Sequence, residues 1–354
     1  MRRVRLAEHT TSRVGGPAER WVVAESEADA VEAIRAADTS ETPLLVLGGG
    51  SNVLMADAGF PGTVVTMAFS GVEIVEEGPS TALVRMAAGQ NWDEAVAWTV
   101  AQGLSGLEAL SGIPGSAGAT PVQNVGAYGA EVSNTLVRLR AWDREEGRLV
   151  ELSSEELRLS YRDSIIKQSL GGHSATPRWV VLSVDFRLTR SGSAAPVRFA
   201  QLASALGVEE GQSAPLETVR HHVLRLRASK GMVLDADDHD TWSTGSFFTN
   251  PIVPAEVRSS LPEGAPVFGA GEGRVKLSAA WLIDRAGFAK GFGLPDGPAG
   301  GRASLSTKHT LAVTNRGSAT AEDLLSVARA VRDGVDSHWG IRLHPEPVLI
   351  GCSL

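Results

Sequence analysis

The stretch GLSGLEALSGIPGSAGATPVQNVGAYGAEV, Gly103–Val132, decides how the rest of the chain is read. It has glycine at 103, 106, 112, 115, 118, 126 and 129, proline at 114 and 121, only Glu108 and Glu131 as acids, and no Lys or Arg. So much glycine rules out a long regular helix or strand, because each glycine gives up more backbone freedom on ordering than any other residue. Leu104, Leu107, Leu110, Ile113, Val122, Val125 and Tyr128 are too apolar for a disordered linker. An ordered, winding loop remains, one whose glycines let main chain approach a guest closely. Backbone N–H groups converging without competing carboxylates make an anion-binding concavity, so the expected guest is a phosphate-bearing cofactor. A glycine-rich packing loop is the plainer alternative.

The chain has 354 residues, enough for two or three domains. A hydrophobic share of 43% with 21% charged is that of an ordinary globular protein with a sizeable core. Cys352 is the only cysteine, which excludes an intramolecular disulfide, and no Cys/His cluster has zinc spacing. The start MRRVRLAEHTTS is basic but leads into no apolar run, so no secretory signal is expected. No run approaches the roughly 20 apolar residues of a membrane span. These features predict a cytoplasmic protein with no membrane partner. A net charge of −8 speaks against nucleic acid.

Ser26 with Asp29 caps a predicted helix to Ala37, with Ala30, Val31, Ile34 and Ala37 on one face. Pro43–Leu47 is a short buried strand running into GGGSN, Gly48–Asn52. A turn at Phe60–Gly62 then leads to a strand near Thr63–Met67. Strand, glycine turn, strand is a phosphate-loop arrangement, but neither GxGxxG nor a Walker A loop is present; a tight capped turn explains GGGSN equally well. Val72–Glu76 and Leu83–Ala87 form a hairpin pair, and Asn91 caps a helix over Trp92–Gln102. Leu136–Trp142 and Arg148–Leu152 read as strands about a turn. Ser153 with Glu156 opens a short helix ending at Leu159–Lys167; a loop and the strand Trp179–Leu188 follow. Residues 190–215 are poor in large apolar groups and mark a boundary. Leu216–Lys230 is a basic amphipathic helix, Ser278–Ala286 a buried helix, Leu311–Thr314 a strand, Thr320 to Trp339 a capped long helix, and Pro347–Ile350 a last strand. Mixed elements without strict alternation make this α+β.

Three isolated polar residues carry chemical potential. Arg162, in YRDS, offers a fork for a carboxylate, against a surface pair with Asp163. Ser246, in GSFFTNP, sets a hydroxyl at the edge of an apolar wall, and Asn250 closes that segment. Glu346, in HPEPVLIG, lies between two prolines beside apolar residues, which suits proton handling. A turn serine ahead of a buried strand is the plainer reading of Ser246, and an exposed turn glutamate that of Glu346.

Taken in order, these segments resemble the UDP-N-acetylenolpyruvoylglucosamine reductase family. The likeness is carried by TTSRVGGPAERWV (Thr10–Val22), VLGGGSNVLMADAGFPGTVV (Val46–Val65), Gly103–Val132, YRDSIIK, GSFFTNP, KLSAAWLIDRAGFAKG (Lys276–Gly291) and RLHPEPVLIG, and so spans nearly the whole chain. It implies an FAD-binding domain of the vanillyl-alcohol-oxidase type over 1–190, in two subdomains split near 70. A linker over 191–215 and a C-terminal α+β substrate domain over 216–354 would follow, the last strand returning to the FAD domain. It implies FAD held by Gly48, Gly49, Gly50, Ser51 and Asn52, then by Gly112, Ile113, Pro114, Gly115, Ser116, Gly118 and Ala119, and by Gln123, Asn124, Gly126 and Ala127. NADPH would be the reductant, a UDP-sugar enolpyruvyl ether the small-molecule substrate, and the protein a monomer. Arg162 and a protonated Glu346 would stabilise the enolate-like product of hydride addition, and Ser246 would deliver the proton. Tyr161, Arg227, Lys230 and Asn250 match substrate-contacting positions, Arg227 and Lys230 near the diphosphate and carboxylate. One departure stands out: where the long-loop subgroup has a tyrosine over the nucleotide, VRFAQLA has Phe199, which stacks but has no hydroxyl. Two other readings compete, an FAD-dependent sugar or alcohol oxidase and a nucleotide-sugar-binding protein without flavin. Oxidases of that fold often tether FAD through His or Cys, and neither type occurs in Gly48–Asn52 or Gly103–Val132.

Overall fold

The computed structural model describes residues 4–170 and 175–354. Met1–Arg3 of the basic start, and residues 171–174 of the loop expected before Trp179, lie outside the described residues. The chain folds into two compact units that interleave in sequence. The first gathers Ala18–Gly49 and Pro61–Val233; the second gathers the described residues up to Pro17 with Gly50–Phe60 and Leu234–Leu354.

In the first unit a three-stranded sheet has the order Ala18–Ala24, Phe60–Met67, Leu44–Leu47. Leu44–Leu47 lies parallel to its neighbour. The helix Glu27–Thr39 starts where expected, with the Ser26 hydroxyl accepting from Asp29 N–H. Its Ala30, Ile34 and Ala37 face pack with Leu44, Val65 and Trp142. The turn expected at Phe60–Gly62 falls one residue earlier, because Gly59 adopts φ +88° and frees Phe60 to begin the strand.

A second sheet of six strands begins with Val72–Glu77. Its long central strand Trp179–Arg190 feeds two cores, because its register against Leu136–Asp143 shifts between the pairs Arg140–Ser183 and Ala141–Val181, so even-numbered residues before and after that irregularity face different clusters. Val180 and Leu182 join the cluster just described. Val184, Phe186 and Leu188 join another with Trp92, Val96, Leu104, Leu107 and Leu110. The helix Trp92–Ala101 and the glycine-rich stretch therefore cover one face of this sheet. On the other face Glu73, Arg85, Asp185 and Arg138 stand opposite one another on four successive strands. Asp185 is 2% exposed because Arg85 grips both its oxygens at 2.8 Å and Arg138 Nε donates at 2.8 Å. Burial opposes its charge, but the two arginines outweigh burial and hold its carboxyl below the usual carboxylate range.

Two expectations need correcting. The signature at Ser153 and Glu156 forms its reciprocal hydrogen bonds, yet no helix follows. Arg158 takes φ +48°, which turns the chain, and the helix is Ile165–Gln168, capped by Ser164. Residues 190–215 are not where the compact units part. They contain the helix Ala200–Leu206, whose Leu202 and Ala203 pack with Val197, Ala214, Leu216, Val219 and Val223. The helix Leu216–Ala228 is thus tied into the first unit.

The second unit is built around the helix Ala321–Trp339, opened by a reciprocal Thr320–Asp323 cap and closed by Gly340 in a left-handed conformation. Its Leu324, Leu325, Ala328, Val331 and Val335 pack with Phe247, Phe248, Ile283 and Leu305. Short sheets surround it: Ile252–Pro254, Arg274–Leu277 and Val267–Gly269, then Ala303–Leu305 with Val313–Asn315. The last strand, Val348–Ile350, runs parallel to Val53–Met55. Asp57 also accepts from Ala321 N–H with both oxygens at 3.0 Å, which binds Gly50–Phe60 to this unit.

Asp185→Asn should cost about 1–3 kcal/mol at neutral pH, the worth of hydrogen bonds to a charged group. A carboxyl whose folded pKa is depressed stabilises above its unfolded value of about 4 and stops doing so as pH falls through the folded value. The gap between the two melting temperatures should therefore be full at pH 7 and close below pH ~4. A gap independent of pH would show that packing, not charge, is what Asp185 supplies.

Candidate functional site

The glycine-rich stretch is shaped by bonds to its neighbours in the first unit. Trp92 Nε1–H donates to the Leu110 carbonyl at 3.1 Å, and Trp92 N–H to the Gly115 carbonyl at 3.1 Å. Asp93 accepts from Gly112 N–H at 2.6 Å and from both terminal nitrogens of Arg220 at 2.6 and 2.8 Å. Burial works against its charge, yet the bonds from Arg220 and Gly112 hold its carboxyl below the usual range. Gly112 has φ +71°, and a Cβ there would come 2.8 Å from Leu224 and 3.4 Å from Arg227 Nε. Gly118 N–H donates to the Ala88 carbonyl, and a Cβ at Gly118 would lie 2.5 Å from that of Ala88. At Gly112 and Gly118 the expected amides are thus engaged in packing, and glycine is required there for close approach.

Gly48 and Gly49 meet this stretch main chain to main chain. A Cβ at Gly49 would lie 2.7 Å from Gly115 Cα, and one at Gly48 would lie 2.8 Å from Ser116 Oγ and 3.6 Å from Ala119 Cβ. Ile113 is partly buried beside this contact, with Pro114 between it and Gly115. The junction of Gly48–Gly49 with Gly115–Ser116 is neutral main chain bearing one hydroxyl. That donor set fits a phosphate-bearing cofactor lying against backbone. Gly50, which continues this loop, takes φ +62° and belongs to the second unit; a Cβ there would strike the His9 carbonyl at 2.0 Å. Ser51 and Asn52 follow, and the Asn52 carbonyl accepts from Val348 N–H.

Asn124, expected to hold the cofactor, has its side-chain amide engaged by protein groups. It is fully buried at φ +48°, its Oδ1 accepts from Ser133 N–H at 2.9 Å, and its Nδ2 donates to Glu131 at 2.8 Å and to the Ser160 carbonyl at 3.1 Å. It braces the glycine-rich stretch to the turn before Arg162. Gln123 is 8% exposed next to it, and Gly126–Ala127 pairs with Ala130–Glu131 as a small ribbon. Arg162 adopts φ +56°, donates to the Gly126 carbonyl at 3.1 Å and stands over the Tyr161 ring at 5.4 Å. Lys167 Nζ donates to the Arg162 carbonyl at 2.9 Å, and Asp163 accepts from Gln168 at 2.7 Å. A charged side chain held in the left-handed region carries strain of order 1–3 kcal/mol, a feature concentrated at working sites.

Farther along the first unit, Arg227 is 7% exposed. It donates to the Met232 carbonyl at 3.0 Å, while its Nε finds no hydrogen-bond partner among the described residues. Burial pulls its pKa down to about 10. Lys230 Nζ donates to Gln201 at 2.7 Å. Phe199 is 40% exposed and meets Tyr128 edge to face, ring centroids 5.5 Å apart.

In the second unit, Gly245 at φ +75° precedes the half-buried Ser246, and its N–H donates to Ser243 Oγ at 3.1 Å. Phe247 N–H donates to the Leu311 carbonyl at 2.7 Å, and Glu346 N–H donates to the Phe247 carbonyl at 2.9 Å. Thr249 N–H donates to the His344 carbonyl, and Phe248 bridges Pro345. The segments carrying Ser246 and Glu346 therefore run side by side, although 100 residues separate them in sequence. Asn250 Oδ1 accepts from Ala279 N–H at 2.9 Å, so it also fastens the start of the helix Ala279–Arg285. Arg162 belongs to the first unit. The sequence reading gave no role to Asp93 or Arg220; the partners of Asp93 lie 19 and 127 residues away and leave no local signature. Among the described residues, no group of three or more His, Cys, Asp or Glu is placed to hold a metal, and no helix is long and apolar enough to cross a membrane.

Comparison with known proteins bears on both units. Residues 18–153 match the family model described as FAD binding domain, and residues 237–350 match that of the UDP-N-acetylenolpyruvoylglucosamine reductase C-terminal domain. The UDP-N-acetylenolpyruvoylglucosamine reductase of Salinispora arenicola is 52% identical over 99% of this chain and 95% of its own. That of Nocardia farcinica is 53% identical over 99% and 90%. The crystal structure of the Thermus caldophilus reductase superposes with a TM-score of 0.65 at 25% identity, covering 99% of this chain and 98% of that one.

An unpaired buried guanidinium destabilises the fold that holds it. Arg227→Met should therefore raise the melting temperature measured without nucleotide, by about 2–4 °C for each kcal/mol recovered. A lower melting temperature would show that the bond to Met232 outweighs the buried charge.

Proposed function

Because the chain belongs to the UDP-N-acetylenolpyruvoylglucosamine reductase family, we propose that it reduces the enolpyruvyl group of UDP-N-acetylglucosamine enolpyruvate to give UDP-N-acetylmuramate for peptidoglycan. The observation that carries this reading is likeness above 50% over 99% of the chain, across both compact units. Bound FAD would supply the hydride-transfer chemistry, with NADPH as the source of the hydride. Gly48–Asn52 and the turns around Gly115 and Gln123 would hold the cofactor, with Gly112, Gly118 and Asn124 shaping the loop.

This chain's residues must then manage charge and one proton. Hydride addition leaves negative charge on the carbon beside the substrate carboxylate, which delocalises as an enolate-like dianion. Such a species needs facing cations or proton donors. The Arg162 guanidinium supplies charge and Glu346, protonated between its prolines, supplies a hydrogen bond; Ser246 delivers the proton to carbon. The alignment of the Ser246 and Glu346 segments through the Phe247 carbonyl supports their acting on one group. Arg227 and Lys230 face the diphosphate, and Tyr161 and Asn250 complete the substrate contacts. The protein works as a cytoplasmic monomer.

Purified protein given NADPH and the enolpyruvyl sugar nucleotide should yield a product two mass units heavier. Ser246→Ala should keep flavin and its reduction by NADPH, while turnover of the sugar nucleotide falls by about 10²–10⁴-fold, the worth of a placed proton donor. Turnover like that of the unaltered protein would remove Ser246 from the mechanism, and no NADPH-dependent product at all would remove the reductase assignment.

A further inference from the structure

Ser246 stands in a segment fastened on both sides. After it, Phe247 N–H donates to the Leu311 carbonyl, and the Phe247 carbonyl accepts from Glu346 N–H. Before it, the strap Thr10–Arg13 meets the segment within the same compact unit. The buried Thr11 hydroxyl donates to the buried Ser243 carbonyl at 2.6 Å, across 232 residues of sequence. Asn315 reinforces this contact: its side-chain nitrogen donates to the Ser12 carbonyl at 3.1 Å and its N–H to the Trp242 carbonyl at 2.9 Å. The Arg13 guanidinium lies over the Trp242 ring, 5.4 Å from its centroid. Between the two fastenings comes Gly245 at φ +75°, a backbone conformation that glycine takes at little cost. Ser246 follows this joint, so the direction of its hydroxyl depends on how firmly Ser243 is held.

Thr11 also grips the loop Gly48–Asn52, which holds the cofactor in the reductase reading. Its N–H donates to the Gly50 carbonyl at 3.1 Å, and its hydroxyl oxygen lies 3.4 Å from that carbonyl. One buried threonine thus joins the cofactor loop to the segment of the proton donor, main chain to one and side chain to the other. We propose that Thr11 is a positioning residue for proton delivery, setting the place of Ser246 relative to Gly50. The inference rests on the reductase reading of this chain. The Thr11 hydroxyl is spent on Ser243, so it acts through Ser246 and not on the reacting atoms. Reduction by NADPH draws no proton from Ser246, whereas the enolpyruvyl carbon needs one. Loss of the Thr11 bond therefore weighs on one half of the cycle.

Thr11→Val keeps the shape of the side chain and removes the hydroxyl; Thr11→Ser keeps the hydroxyl. Rapid-mixing absorbance without oxygen follows each half of the cycle. In Thr11→Val, bleaching by NADPH should stay within about twofold of the unaltered protein, while reoxidation by the enolpyruvyl sugar nucleotide should slow by about tenfold, since small displacements of a reacting group are costly. Thr11→Ser should restore most of that rate. In the oxidised protein without substrate, amide hydrogen exchange over residues 243–249 should quicken about fivefold in Thr11→Val and stay unchanged over the helix Ala321–Trp339. Reoxidation as fast as in the unaltered protein overturns the proposal. So do equal losses in both halves of the cycle, or equal losses in the two variants, which make Thr11 structural only. Failure of the reductase reading shows differently: the bleached flavin of the unaltered protein would ignore the sugar nucleotide, with the exchange difference still present.

Discussion

One carboxylate holds the first unit's working surface in place. Asp93, one residue into the helix Trp92–Ala101, takes the Gly112 amide on one side and the Arg220 fork on the other. The glycine-rich stretch alone has too little side chain to define its own path, since glycine backbone left free is entropically costly to order. Asp93 fixes that path to two helices at once, and Trp92 adds the Leu110 and Gly115 carbonyls. With the path fixed, Gly115 and Ser116 come against Gly48 and Gly49. The same helix Leu216–Ala228 that Arg220 anchors carries Arg227 and backs Tyr128.

Charge is distributed in this molecule according to use. Where it serves the fold, as at the buried Asp185 and the half-buried Asp93, the carboxylate is met by arginine and little is left over for a ligand. At Arg227 a buried nitrogen has no hydrogen-bond partner among the described residues. Left-handed backbone at Asn124, Tyr128 and Arg162 lies along the same part of the first unit. Stability given up locally in this way is the usual companion of a binding surface.

Much of this was legible in the sequence. The caps at Ser26, Asn91 and Thr320 announced three helices because a capping side chain acts within three residues. The glycine-rich stretch was readable as an ordered loop from its composition, and the likeness carried by seven segments named the family. What was not readable involves distant partners. The signature at Ser153 and Glu156 was satisfied without a helix, because such a signature satisfies amides whether or not periodic apolar residues follow. Residues 190–215 looked like a linker because their small side chains hide the short helix Ala200–Leu206, which packs on the helix Leu216–Ala228. Nothing near Gly50–Phe60 reveals that Asp57 caps a helix 264 residues later, nor that Asn124 spends its amide on Ser133, Glu131 and Ser160.

The claim on which the rest depends is that this chain passes a hydride from a nicotinamide to an enolpyruvyl carbon by way of a bound flavin. The most direct measurement is the absorbance of the purified protein without oxygen. NADPH should bleach the yellow flavin band, and one equivalent of UDP-N-acetylglucosamine enolpyruvate should restore it. A colourless protein, or a bleached band that the sugar nucleotide leaves bleached, would contradict the account.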